Sequence, residues 1–341
     1  MKKYLDFINK NVLVSYYNAT VMINQYIPDE EVYSGLDILT NYEKEFQKDF
    51  RCSVSEYREV VDWVAKNIKN IKVKHGPKSS EITLNGINNS TIPKYIHHYS
   101  EFDVCKQMTI NNCQGLTVIG SFCLINKLEK IIINDSNVIL TELEFENAKL
   151  IEFHGSNSTI KFPESMHAFV NINTVICNNC VLLDIENVCT DLKKVTSMYL
   201  INCGLSEIPN FQNMNVMYIL DLSKNNITKI GDSTGADRVN KLICKNNKID
   251  TITDNITEFK KLKRLILDDN LLSELPDIIN KIKLLLVISL DNNKFQKTPD
   301  NISNKRSTGL SVSLVGNNID KNDQLANIPT TKNKQNIRFL Y

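Results

Sequence analysis

The chain has 341 residues, enough for two ordinary domains or for one solenoid with a cap. Its 40 basic and 39 acidic residues nearly cancel, so the composition shows no direct signature of a nucleic-acid or acidic-membrane partner. No run of about 18 apolar residues occurs, which predicts no membrane span, and Asp6, Asn9 and Lys10 interrupt the apolar stretch that a signal peptide needs.

Residues 1–78 show helical rather than repetitive patterning. Ser53, with Glu56 three residues later, predicts a capping box at a helix start. A second helix is predicted upstream, and the segment 1–78 is predicted to be a helical N-terminal cap or docking segment. The helix after Ser53 is predicted to bury one face, formed by Tyr57, Val60, Val61, Val64, Ile68 and Ile71. The apolar residues of the upstream helix are Leu36, Leu39, Tyr42, Phe46 and Phe50.

A repeated phrase occupies the rest of the chain. It is clearest as Leu262-x-x-Leu265-x-Leu267-x-x-Asn270, and we number its positions so that Leu262 is position one and Asn270 position nine. A period of 21–24 residues predicts a solenoid over residues 79–341, with ten clear repeats between 105 and 319 and a C-terminal cap at 320–341. Partial repeats are expected at Ile82 and Leu84, and at Ile337 and Phe339, 25 residues after Leu314. Position nine falls at Cys113, Ser136, Asn157, Cys180, Cys203, Asn225, Asn247, Asn270, Asn293 and Asn317.

This phrase resembles the leucine-rich-repeat family over roughly residues 80–341, most specifically over 195–317. The stretch 275–279 resembles the intracellular Ras-suppressor-like subclass, whereas the 22-residue repeats between 203 and 247 resemble the phosphatase-regulator subclass. Both belong to intracellular proteins, but neither subclass fits throughout. The resemblance and the alternating apolar pattern imply an α/β solenoid, a horseshoe with a parallel concave sheet of about ten or more strands.

The cysteines and histidines favour structure over chemistry. Nine scattered cysteines, an odd number, indicate reduced thiols and therefore a cytoplasmic protein, with the nucleus as an alternative location. Cys177 and Cys180 form a C-x-x-C, but they occupy positions six and nine, which point into the core. The five histidines lack metal-ligand spacing, and the glycine-rich stretch 231–235 lacks the lysine of a phosphate-binding loop. We therefore expect no enzyme activity, no metal and no cofactor.

The repeat also predicts a binding surface. Position five of each strand points out of the concave face, where isoleucine and tyrosine recur, and positions three, seven and eight add charged residues around this apolar stripe. A preference of β-branched residues for strands offers a simpler explanation of the same pattern. In one repeat Ile151 and Phe153 are predicted to form the buried pair, with Glu152 at position five between them. Its position nine is Ser156 or Asn157, and we expect a one-residue bulge in this repeat. The predicted partner-binding residues are Ile176, Tyr199, Ile201, Ile219, Lys241, Ile243, Lys245, Arg264, Ile266, Asp268 and Asp291.

These patterns predict a non-enzymatic module that binds another protein on its concave face, as an adaptor, an inhibitor or a subunit of a larger assembly. The alternative is a ubiquitin-ligase substrate receptor, because Ile27-Pro28-Asp29 followed by helices and Trp63 faintly resembles an F-box. The expected Val-Cys-x-x-Trp stretch is missing. An enzyme with its site in the N-terminal segment is a third possibility, but no nucleophile–base pair or metal set is visible there.

Overall fold

A computed structural model describes residues 47, 52–76, 80–98, 100–118, 124–141, 149–167, 169–211, 213–231, 236–299, 309–326 and 337–340. It divides into two compact units, Met1–Leu150 and Ile151–Tyr341. The predicted upstream helix at 36–50 (except Gln47), the Ile27-Pro28-Asp29 stretch and most of the loop 231–235 lie outside the described residues. Within the described residues, no helix is long and apolar enough to cross a membrane.

The first unit begins with the predicted capped helix, α1 (Val54–Asn67). Ser53 Oγ accepts the backbone N–H of Glu56 at 3.1 Å, and the Glu56 carboxylate accepts the backbone N–H of Ser53 at 2.7 Å. This capping box is confirmed. Buried Trp63 donates its indole N–H to Ser90 Oγ at 2.9 Å, which fastens the helix to the first turns of the sheet.

The sequence pattern predicts a helix that ends too late in the chain. The α-helix stops at Asn67, a short 3₁₀ turn covers Ile68–Asn70, and Ile71 begins β1 (Ile71–His75). This strand pairs antiparallel with β2 (Ser80–Asn85), and Ile71 is buried opposite Leu84. Tertiary pairing therefore overrides the helical period at Ile71. The boundary at residue 78 between cap and solenoid stays a prediction.

Parallel strands form the rest of the first unit. In its main sheet β2 pairs with β4 (Cys105–Asn111), and β4 with β6 (Lys130–Asn134). A second, smaller ladder joins β3 (Thr91–Ile92), β5 (Gln114–Val118) and β7 (Asn137–Leu140). A 3₁₀ turn (Ile96–His98) and α2 (Ser100–Asp103) connect β3 to β4. The predicted first irregular strand is confirmed, since Ile82 aligns with Met108 and Leu84 with Ile110.

The second unit is built on one long parallel ladder, with smaller elements in the outer turns. The ladder runs in chain order through β8 (Glu152–Ser156), β10 (Thr174–Asn178), β12 (Ser197–Ile201), β13 (Ile219–Asp221), β15 (Lys241–Ile243), β17 (Arg264–Ile266), β18 (Val287–Ser289), β19 (Leu310–Ser313) and β20 (Ile337–Leu340). The outer elements are β9 (Thr159–Lys161), β11 (Val181–Leu183), β14 (Lys229–Ile230), β16 (Thr251–Ile252), α3 (Ile185–Asp191), α4 (Lys321–Ala326) and 3₁₀ turns at Asp254–Glu258 and Asp277–Lys281.

Each strand buries positions four and six and leaves positions three, five and seven on the other face. Leu265 and Leu267 are fully buried, as are Leu220 and Leu222 two repeats earlier. Phenylalanines from the outer turns, such as Phe259, fill the interior behind the strands. With this alternation and the parallel register, the predicted α/β leucine-rich-repeat solenoid is confirmed.

Positions eight and nine form the sharp turn that ends each strand. Nine non-glycine residues at position eight have positive φ, from 49° to 61°. Left-handed backbone favours Asn and Asp, and all nine are Asn or Asp except Lys224. Position nine turns inward as predicted. The Asn270 amide donates to the carbonyls of Cys244, Leu267 and Asp268, while its Oδ1 accepts the N–H of Ile249 at 2.9 Å.

Two register predictions are wrong. In β8 the buried pair is Phe153 and Gly155 rather than Ile151 and Phe153, so position nine is Ser158, not Asn157. Gly155 fits because Ile160 fills the space beside it: a Cβ there would lie 2.7 Å from Ile160 Cδ1. At the other end Phe339 pairs with Val312 instead of Leu314.

Candidate protein-interaction face

The strands of the second unit bring the predicted position-five residues into one row. Ile176 pairs with Tyr199, Tyr199 with Asp221, and Asp221 with Ile243. Ile243 in turn pairs with Ile266. Neighbouring parallel strands lie about 4.8 Å apart, so these side chains are in mutual contact range. All are half-buried within the chain. We call the position-three, -five and -seven side chains of β10 to β18 the strand face.

Position three forms a second row with a basic centre. Ile219 pairs with Lys241, and Lys241 pairs with Arg264. Lys241 is half-buried, whereas Arg264 is exposed. Apolar and basic groups therefore lie side by side, as the sequence predicts, on the amino-terminal side of the position-five row.

Position seven contains an ion pair that the sequence does not predict. Lys245 Nζ lies 2.6 Å from Asp268 Oδ2, and this hydrogen bond raises the pKa of Lys245. The Asp268 side chain is only 8% exposed, and its Oδ1 accepts the N–H of Asp291 at 3.2 Å. The Lys245 side chain is 44% exposed. Asp268 therefore orients Lys245, and the lysine is the more accessible partner of the two.

Asp291 is also held by its own chain. Its Oδ1 accepts hydrogen bonds from Ser313 Oγ at 2.5 Å and from the N–H of Val315 at 2.9 Å. Asp221 is fixed in the same way by Ser223, through the backbone N–H at 3.0 Å and through Oγ at 2.6 Å. These hydrogen bonds therefore hold Asp291 at the rim of the strand face and Asp221 within its position-five row, and both carboxylates add negative charge to the face.

The corrected register of β8 extends the strand face by a polar pair. His154, not Glu152, occupies position five and pairs with Ile176. Its Nε2 lies 3.1 Å from Glu152 Oε2 at position three. The apolar row therefore meets a histidine–carboxylate pair at Ile176.

A row of amides at position eight was missed from the sequence. Asn202 donates to Asn179 at 2.8 Å, and Asn179 donates to Asn157 at 3.0 Å. Further along, Asn246 and Asn292 donate to Asp269 at 3.4 and 2.9 Å. Lys224 separates the two runs. The recurrence of Asn or Asp before most of the position-nine residues is the sequence signal for this row.

The cysteines are structural. Cys177 and Cys180 are buried, as their positions predicted, and Cys180 donates to the Asn178 carbonyl. A hydrogen bond to Cys180, with burial, raises the pKa of the Cys177 thiol, and burial raises that of Cys203 to about 12. In the described part of the chain, no group of three or more His, Cys, Asp or Glu side chains is placed to hold a metal ion.

Comparisons with known proteins give a likeness of fold only. No protein-family model matches the chain, and no curated protein matches it. Among solved structures, an internalin (InlF) from Listeria monocytogenes strain 4b F2365 is 15% identical, with a TM-score of 0.45 over 76% of this chain and 86% of that one. InlP from Listeria monocytogenes is 18% identical, with a TM-score of 0.49 over 62% of this chain and 63% of InlP. At these values neither similarity bears on function.

Proposed function

We propose that this chain is a non-enzymatic binding module and that the strand face of the second unit binds another protein. The observation that carries the proposal is the position-five row, in which Tyr199, Ile243 and Ile266 stay partly exposed and Asp221 lies between Tyr199 and Ile243. An apolar centre with a charged rim is typical of protein interfaces. Lys241 and Arg264 supply basic groups on one side, and Lys245, Asp268 and Asp291 supply the mixed rim on the other.

The rigidity of the strand face favours binding. Its side chains project from strands fixed by a parallel ladder, and its rim carboxylates are hydrogen-bonded within the chain. A preformed surface loses little conformational entropy when a partner docks. Burying one of the large apolar side chains contributes about 1.5–3 kcal/mol relative to full exposure. Because Tyr199, Ile243 and Ile266 are only half-buried in the chain, part of this free energy is still available when a partner covers them.

The cysteines support a reducing compartment for this module. Apart from Cys52, the seven other cysteines among the described residues are buried free thiols. Free thiols are typical of the cytosol and nucleus. We therefore place the protein in the cytoplasm or nucleus, as an adaptor, an inhibitor or a subunit of an intracellular assembly. The ubiquitin-ligase alternative depends on residues 27–29, which lie outside the described residues.

Affinity purification followed by quantitative mass spectrometry tests the proposal. Tyr199, Ile243 and Ile266 are changed together to serine, and a control changes Val181, Leu183 and Leu271 to serine, because these are exposed apolar residues off the strand face. We expect the wild type and the control to recover the same partner protein, and the strand-face variant to recover at least about tenfold less.

Both variants must first show the same unfolding midpoint by circular dichroism, so that a loss of partner is not a loss of fold. Equal recovery by the strand-face variant and the control would remove the strand face as the binding site. Equal loss from both would show that exposed apolar residues in general, and not this row, cause the association.

A further inference from the structure

A groove at the amino-terminal ends of the strands lies apart from the strand-face positions. It has a volume of about 690 Å³, and all of its lining residues belong to the second unit. We call it the edge groove. It is lined by Asn215, Val216, Tyr218, Arg238, Asn240, Lys261, Lys263 and Leu284.

The repeat arranges these side chains in two rows. The backbone carbonyl of Tyr218 accepts the N–H of Asn240, that of Asn240 accepts the N–H of Lys263, and that of Lys263 accepts the N–H of Leu286. One row is therefore Tyr218, Asn240, Lys263 and Leu286, at position two of four successive repeats. The second row lies two residues earlier in each repeat and reads Val216, Arg238, Lys261 and Leu284.

Both rows place apolar groups at the two ends and polar or cationic groups between them. Val216 and Tyr218 form one end, and they are 48% and 54% exposed. Leu284 and Leu286 form the other end, each 38% exposed. These are four of the eleven exposed large hydrophobic side chains in the described part of the chain, so their clustering around one groove marks a docking surface rather than scattered surface residues.

The centre of the edge groove carries positive charge that the described residues do not neutralise. Among the described residues, Lys261 and Lys263 have no carboxylate within ion-pair distance, and the contact of Arg238 is a long one, 4.0 Å to Asp237. None of the described residues that line the groove is acidic. The electrostatic complement of such a centre is a group of carboxylates.

We propose that the edge groove binds an extended acidic segment of a partner protein, with two or three carboxylates between two apolar residues. Three strand spacings of about 4.8 Å separate the apolar ends by about 14 Å. An extended peptide rises about 3.3 Å per residue, so residues i and i+4 span this distance and project to the same side. The carboxylate at i+2 projects to that side too and faces the cationic centre, while the two apolar side chains cover the groove ends. Carboxylates at i+1 and i+3 project to the other side and add negative charge that Arg238, Lys261 and Lys263 attract from a longer distance.

A single-stranded nucleic acid fits the same groove less well. Such ligands bind a cationic track with aromatic side chains on which successive bases stack. The edge groove has one aromatic residue, Tyr218, and its other apolar groups are aliphatic. The arrangement therefore favours peptide carboxylates, and a nucleic acid serves as a rival probe in the test.

Fluorescence polarisation with the full chain tests the proposal. The probe is a fluorescein-labelled peptide with a core of one leucine, three glutamates and one leucine, between glycine–serine flanks. Two control peptides replace the glutamates with glutamine or the leucines with serine, and a uridine oligonucleotide of matched length is the rival. We expect the probe to bind at least tenfold more tightly than any of the three, and to weaken as salt is raised.

Matched variants locate the binding. Changing Lys261 and Lys263 together to glutamate should weaken the probe at least tenfold, and Leu284→Ser should weaken it several-fold. The control for net charge changes Lys248 and Lys281 together to glutamate, because both are exposed and lie outside the edge groove. This control should leave binding unchanged. The serine variant of Tyr199, Ile243 and Ile266 should also bind the probe normally, which separates this site from the strand face.

Three results would overturn the proposal. One is a probe that binds no better than its glutamine control. Another is equal weakening by the Lys248 and Lys281 control, which would reduce the effect to net charge. The third is tighter binding of the uridine oligonucleotide, lost in the Lys261 and Lys263 variant, which would assign the groove to nucleic acid.

Discussion

Replacing Asn270 with alanine should destabilise the second unit strongly, because this buried amide joins two successive repeats. Its Nδ2 donates to the carbonyl of Cys244 at 2.8 Å, and its Oδ1 accepts the N–H of Ile249 at 2.9 Å. Alanine leaves both of these buried groups without that partner. The carbonyl of Leu267 is affected less, because Asn293 also donates to it at 2.9 Å.

The expected magnitude follows from those two groups. A buried backbone donor or acceptor that loses its partner costs about 1–3 kcal/mol, so Asn270→Ala should lower the free energy of unfolding by about 2–6 kcal/mol. Serine should recover part of this loss. At Ser136 the hydroxyl accepts the N–H of Cys113 at 3.0 Å and donates to the carbonyl of Asn134. Cys113 is at position nine of its repeat, as Asn247 is, so the serine hydroxyl of Asn270→Ser should accept the N–H of Asn247 rather than that of Ile249. This bond should offset about 0.5–1.5 kcal/mol of the loss.

Urea denaturation followed by far-ultraviolet circular dichroism measures these differences. The control is Asn213→Ala, because Asn213 is an exposed asparagine in a turn, where a substitution changes stability by about 0.5 kcal/mol or less. The expected order of stability is wild type and Asn213→Ala, then Asn270→Ser, then Asn270→Ala. An Asn270→Ala variant as stable as Asn213→Ala, or a serine variant as unstable as the alanine variant, would refute the reasoning.

Three further predictions concern backbone conformation and pH. Lys224 has a φ of 61° at a position that is otherwise Asn, Asp or Gly. Lys224→Asn should therefore raise the free energy of unfolding, measured by urea denaturation, by about 0.5–1 kcal/mol. The control Lys248→Asn should leave it unchanged. Burial and the charge of His98 lower the pKa of His97 from 6.5 to about 4, so the unfolded chain takes up this proton first and stability falls between pH 6.5 and 4. The loss is about 2 kcal/mol after discounting for partial exposure. His97→Gln should flatten this fall in stability, and an unchanged fall would contradict the prediction. Burial raises the pKa of the Cys244 thiol above 9.0, so above pH 9 this thiol ionises in the unfolded state only, and stability falls as pH rises. Cys244→Ala should make the fall in the free energy of unfolding less steep by about 1.4 kcal/mol per pH unit. An unchanged pH dependence would contradict the prediction.

The turns show why much of this fold can be predicted from the sequence. Left-handed backbone at position eight selects Asn, Asp or Gly, and a buried polar slot at position nine selects Asn, Cys or Ser. Because both requirements recur once per turn, the sequence repeats them, and Cys203 to Asn317 align without error. The capping box at Ser53 is equally local, since its two hydrogen bonds join residues three apart.

The errors lie where a residue outside the local pattern decides the local structure. Gly155 carries no hydrophobic signal, and it occupies a core position because Ile160 fills the space beside it. Ile71 continues a helical period, but pairing with β2 makes it a strand residue. Neither partner can be identified from the pattern around the residue itself.

The sequence alone determined the repeat, the inward and outward positions of each strand and the rows in which surface residues lie, because these depend on spacing along one chain. The tertiary structure decided which of those residues are accessible. It buries Asp268 against Lys245, fixes Asp291 with Ser313, and leaves Val216, Tyr218, Leu284 and Leu286 uncovered around a cationic groove. These outcomes depend on contacts between side chains that are 20 or more residues apart in the chain and that meet across adjacent turns. The pattern within a single repeat does not reveal such contacts.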